Sequence, residues 1–154
     1  MDEDLDPLSR EQLIAVAPLE GPEAIALDHL IVPSRDRQAA AARLGSVLGV
    51  PWAASGAGPF SAVYVSDSLT LDFDQADGAF PVLHYCFRVG EARFDALLAR
   101  LKQYGIAYRS TPHGSDDFQV NTGHGGRIVY WNEPEGHVWE ALTVSYARAP
   151  GTGG

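Results

Sequence analysis

Cysteine is nearly absent from this chain. Cys86 is the only one in 154 residues, which excludes an internal disulfide framework and fits a reducing compartment. Basic residues are scarce as well: 11 Lys and Arg stand against 20 Asp and Glu, a formal charge of −9. No basic stripe is available to follow a phosphate backbone, so nucleic acid is excluded as a partner. No apolar run approaches the ~18 to 20 residues needed to cross a bilayer. The opening Met1-Asp2-Glu3-Asp4 is acidic, where a signal peptide needs positive charge before an apolar block. The expectation is a cytoplasmic protein with no membrane segment.

What is present suits one compact domain: 45% of the residues are hydrophobic and 20% charged, at a length too short for two ordinary domains. Residues 1–24, rich in acid and proline, read as a flexible arm with one helical turn after Ser9. Residues 25–33 read as a strand stopped by Pro33. Ser34 is placed to cap a helix over 35–48, whose apolar positions Ala40, Ala41, Leu44, Val47 and Leu48 recur at helical spacing, with Gly49 to end it. A loop over 51–59 precedes strands 60–65 and 69–73, which are joined by Ser66-Asp67-Ser68. The order then repeats. A strand over 82–89 leads to a helix over 91–104 with an apolar stripe at Phe94, Leu97, Leu98, Leu101 and Tyr104. Gly105 stops that helix; a short strand at 106–109, a polar loop at 110–126 and strands 127–131 and 137–146 follow, with residues 147–154 read as a disordered tail.

The reading is therefore α+β, with βαβββ written twice, about 25–74 and 82–146. The spacings agree: His29 to His84 is 55 residues and Gly49 to Gly105 is 56, while Asp72 to Glu140 is 68 because the second half has the longer loop. Each half opens on a strand histidine and later offers a strand carboxylate. In a strand, a polar residue flanked at i±2 by apolar ones points to an enclosed face; His29 lies between Leu27 and Ile31, and Glu140 between Val138 and Leu142. A buried carboxylate needs a partner, and a metal ion is one remedy. His29, Asp72, His84 and Glu140 are the candidate ligands. Two imidazoles and two carboxylates suit a divalent Fe, Mn, Ni, Co or Zn ion, with two octahedral positions left for water or substrate.

These residues carry a resemblance. Leu27-Asp28-His29-Leu30-Ile31-Val32, Leu83-His84-Tyr85 and the closing run from Val129 to Glu140 resemble the vicinal oxygen chelate superfamily, which includes glyoxalase I, fosfomycin resistance enzymes, extradiol dioxygenases and bleomycin-binding proteins. In the closing run, Glu133 and Glu135 replace the two aspartates of the family's aspartate-proline-aspartate-glycine turn. The resemblance implies two half-cups forming a cup-shaped mixed sheet with helices outside, and metal ligands at His29, Asp72, His84 and Glu140. Glutamate is commoner in the family at the position of Asp72, whose reach is about 1.5 Å shorter, so Asp72 is expected to bind directly or through water.

Three functions follow from the resemblance. The first is a metal-dependent isomerase, epimerase or lyase that holds two neighbouring oxygens of a small substrate and stabilises an enolate, with Glu140 moving the proton. The second is an Fe(II) dioxygenase on His29, His84 and Glu140, a two-histidine, one-carboxylate set; Tyr130, ten residues before Glu140, has a spacing similar to the catalytic tyrosine of extradiol dioxygenases. The third is a non-enzymatic binder of a small aromatic molecule, held against Trp52, Phe60, Tyr85, Trp131 and Trp139. Arg88 and Arg127 are candidate contacts for an anionic substrate, and Cys86, with the parity of His84, a candidate lining residue. Small chains of this family commonly form homodimers, some with the site between chains.

Overall fold

The computed structural model describes Ser9 and residues 21–147. Its elements follow the repeat: β1 (His29–Ser34), α1 (Arg37–Leu48), β2 (Trp52–Ala53), β3 (Ser61–Tyr64) and β4 (Thr70–Gln75), then β5 (His84–Arg88), α2 (Glu91–Gln103), β6 (Tyr108–Arg109), β7 (Ile128–Asn132) and β8 (Val138–Leu142). The strands form two four-stranded mixed sheets, ordered β1-β4-β3-β2 and β5-β8-β7-β6. In each, the opening strand runs parallel to the last and the other pairs are antiparallel. Residues Ala26–Val144 make one compact unit. Outside it, Gly21–Glu23 form a single 3-10 turn; the expected helical turn after Ser9 and most of the tail lie outside the described residues.

Alternation along the strands sorts side chains between two faces. Val32, Val63, Leu71 and Phe73 of the first sheet join Val129, Trp131, Trp139 and Ala141 of the second in one core, together with Leu44, Val47 and Leu48 of α1 and Phe94, Leu97 and Leu101 of α2. Both helices and one face of each sheet thus share a single apolar interior. The opposite face of the second sheet carries its own small cluster of Ile128, Tyr130, Val138 and Leu142, and Glu140 has their parity. The opposite face of the first sheet holds Asp72, which pairs in register with Ile31 on one side and Ala62 on the other.

The boundaries differ from expectation in ways the residues explain. Pro33 does not stop β1, because the strand is at a sheet edge, where a missing N–H costs no ladder bond. Ser34 is therefore still in the strand, and Asp36 caps α1 instead, its Oδ1 accepting from Ala39 N at 3.0 Å. Gly49 ends α1 in the left-handed conformation at φ 68°, as read from its place in the sequence. Two-residue β2 lies inside the segment taken as loop, and β8 stops at Leu142, four residues short of the expected end.

One fully buried residue joins the end of β1 to the start of β5. His137 accepts from Leu83 N through Nδ1 at 3.0 Å and donates from Nε2 to Pro33 O at 2.8 Å. Its ring stacks on Phe80 at 5.4 Å. The tautomer follows from those two bonds: the proton is on Nε2.

Candidate metal-binding faces

β5 and β8 bring His84 and Glu140 together. Cys86, not His84, faces Glu140 across the parallel ladder, so the imidazole reaches diagonally, and His84 Nε2 stands 2.9 Å from Glu140 Oε2. Glu140 is 1% exposed while His84 is exposed, an arrangement in which a buried carboxylate is held by a group that itself opens to solvent. Tyr130 pairs in register with Glu140, and its ring stands edge-on to His84 with centroids 6.1 Å apart. Cys86 shares this face. Partial desolvation, with the Glu140 charge and a hydrogen bond to it, pushes its thiol up to about 12, so it stays protonated and serves as a donor to the carboxylate.

The first repeat reproduces the placement. His29 opens β1 as His84 opens β5, and Asp72 faces Ile31, two residues on from His29, as Glu140 faces Cys86, two residues on from His84. His29 and Asp72 line one shallow hollow with Tyr64, Thr70 and Ala62. The imidazole is nevertheless turned to a neighbour: His29 Nδ1 lies 2.7 Å from Asp28 Oδ2. That hydrogen bond, the Asp28 charge and a smaller contribution from Asp72 raise the His29 pKa. A carboxylate on one imidazole nitrogen leaves the other free for a ligand, the arrangement common around metal-binding histidines.

The four candidates therefore form two pairs. Among the described residues no group of three or more His, Cys, Asp or Glu side chains converges to hold an ion. The reason lies in the shared core: each pair sits on the sheet face turned away from it. In kind, the donors fit a divalent cation, since each pair joins an imidazole to a carboxylate that is at most 7% exposed. In number, one chain offers two incomplete sets.

Other candidates resolve individually. Arg127 is held by Glu91 and Asp95, at 2.6 and 2.7 Å, and lies over the Phe94 ring. Trp131 and Trp139 belong to the core, and Tyr85 stacks on Trp139 at 5.3 Å; these three do not face the candidate ligands, which weakens the aromatic-binder expectation. Sequence reasoning did not single out Asp28, adjacent to His29, or His137, a polar residue at the turn position where the first repeat has Leu69. It also passed over the burial of Glu133, which is 6% exposed. Burial and the nearby Glu135 charge push its carboxyl up to about 7, opposed by the Arg43 guanidinium.

No protein-family model matches the chain, and no curated protein matches it in sequence. Solved structures do. Oxidase ChaP-H1 is 38% identical over 80% of this chain and 99% of its own, with a TM-score of 0.74. Oxidase ChaP-H2 is 33% identical over 80% and 96%, also at 0.74. The chain belongs to the vicinal oxygen chelate superfamily. A glyoxalase/dioxygenase from Nostoc punctiforme, 19% identical over 84% of this chain and 99% of its own, shares the fold at a TM-score of 0.57. The expected superfamily and its doubled βαβββ architecture are thus borne out.

Proposed function

We propose that this chain is a metal-dependent oxidase acting on a small substrate with two neighbouring oxygens, with dioxygen as oxidant and iron as metal, and that two copies share each site. The observation that carries this reading is the His84–Glu140 contact of 2.9 Å with Tyr130 beside it. A histidine and a carboxylate need one further histidine to complete a facial set for iron. His29, on the corresponding face of the other repeat, supplies it from a second copy. The two oxidases at 38% and 33% identity support this reaction class over the isomerase or lyase.

A bound divalent ion would polarise the two substrate oxygens and give them a common anchor. The chain's own groups do the rest. Glu140, buried and tied to His84, is placed to accept or return a proton. The Tyr130 hydroxyl, on the same face, orients the substrate, and Asp28 holds the His29 ring by its Nδ1 side. Isomerase or lyase chemistry is the second reading, favoured by Asp72, which occupies the register of Glu140 and makes a fourth donor, a second carboxylate, available.

Elemental mass spectrometry on tag-free protein tests both readings. The expected result is near-stoichiometric iron, lost in His84→Ala and in Glu140→Ala. Nickel, zinc, cobalt or manganese in its place favours the isomerase or lyase. Protein that holds none of these ions and takes up none on incubation overturns both and leaves a binding module.

A further inference from the structure

The repeat symmetry is broken at the turns that precede the last strand of each half. The turns at 65–69 and 133–137 have equal length and close with the same backbone bond, Val65 N to Leu69 O at 3.0 Å and Glu133 N to His137 O at 2.9 Å. The second turn reaches the first repeat through polar groups. Glu135 Oε1 accepts from Arg35 N at 2.6 Å, His137 Nε2 donates to Pro33 O at 2.8 Å, and Glu133 stands in the field of Arg43. The first turn has Val65, Asp67 and Leu69 at the corresponding positions. Between that turn, the end of β5 and the start of α2 there is a cavity of about 440 Å³.

Its lining is mixed in a particular way. Val65, Leu69, Phe87 and Leu97 make it apolar, while Arg88 and Arg93 bring two guanidinium groups. Arg93 spends one nitrogen on Leu48 O at 3.2 Å. Neither arginine has an ion pair among the described residues, although acids outnumber bases 20 to 11 in the chain. Asp67 is exposed and outside the lining. Volume and lining suit a small ligand, an apolar body with few polar anchors; guanidinium groups pair with carboxylate or phosphate oxygens, and the Glu135 carboxylate at the matching place in the other repeat favours the carboxylate. His29, Asp72, His84 and Glu140 do not line this cavity, although Cys86, which donates to Glu140, does.

We propose that the cavity binds a planar aromatic carboxylate, its ring taking the place that His137 fills in the other repeat and its carboxylate the place of Glu135, facing Arg88 and Arg93. The proposal does not depend on the metal reading.

Titration of the full chain with naphthalene-2-carboxylate, followed by calorimetry and by NMR shifts, tests it. Saturable binding of one equivalent per chain is expected. Arg88→Gln should weaken it about tenfold or more, as loss of a charged hydrogen bond would, and Arg93→Lys should weaken it less. Leu69→Trp should abolish it by filling the space, with Val65→Phe as the alternative should that variant not fold. His84→Ala should leave it unchanged. The proposal is overturned by absence of saturable binding, by equal binding of the uncharged naphthalene-2-methanol, or by loss of binding in His84→Ala, which would move the probe to the candidate metal face. It is also overturned if Leu69→Trp changes the oligomeric mass while the wild type binds no probe, since the cavity would then be covered by a second copy.

Discussion

Glu133 shows how one residue can make stability depend on pH. A carboxyl pushed up to about 7 by burial, against an unfolded value of 4.5, binds its proton more tightly in the folded state. Its contribution is fully present below pH 4.5 and is lost as pH rises toward 7. Over that window the wild type should lose roughly 1–3 kcal/mol relative to Glu133→Gln, which is neutral at every pH. Denaturant melts of both proteins at pH 5 and pH 8 check this: the difference between them should change by that amount, and parallel curves would refute it. The burial of Glu133 was not legible in the sequence. It is flanked by turn residues, and only the packing of the turn on the first repeat buries it. The matching placement of His29 with His84, and of Asp72 with Glu140, was legible, because a doubled pattern at similar spacing singles out strand histidines that either copy alone would not.

Among elements, the junction of α1 with α2 is the clearest case of one helix completing another. Gly49 closes α1 with φ at 68°, where a side chain is strained. The exposed carbonyls at this end face cations from α2: Arg93 donates to Leu48 O at 3.2 Å and Arg100 to Val47 O at 3.5 Å. Positive charge at a helix C-terminus is favourable. A Cβ on Gly49 would also run into the Arg100 guanidinium. Gly49→Ala should therefore cost about 1–3 kcal/mol, visible as a lower midpoint in thermal melting, and an unchanged midpoint would remove this account. Helix α2 was readable from Phe94, Leu97 and Leu101, whose spacing leaves one face to bury. The cap of α1 was misassigned because Pro33 was taken as a stop, while β2, two residues long, has no pattern to read. Periodicity also assigns a residue to a face but not the direction that face takes. The separation of the His29–Asp72 pair from the His84–Glu140 pair was therefore hidden until the shared core was seen.

For the whole molecule, the question is whether the two pairs meet across a dimer. If each site takes its first-repeat half from one copy and its second-repeat half from the other, His29→Ala and His84→Ala chains should complement each other. Random exchange places both lesions in one site of the mixed dimer and leaves its second site intact, so metal content or activity should return to about a quarter of wild type. Unmixed variants should stay near zero. Sedimentation equilibrium should accordingly give twice the chain mass of 16.5 kDa. No recovery on mixing, with exchange verified by mass, would place each site within one chain.

The two sheets exchange no strand: every ladder of β1 to β4 is closed within 29–75 and every ladder of β5 to β8 within 84–142. During synthesis the first repeat can complete its strand ladders before the second has left the ribosome. It cannot complete its interior, since Val32, Leu44 and Phe73 await Phe94, Leu97 and Trp139. Between those two moments the nascent chain carries a finished sheet with an apolar side still uncovered, and that interval is when it is most open to chaperone capture or to pairing with another nascent copy.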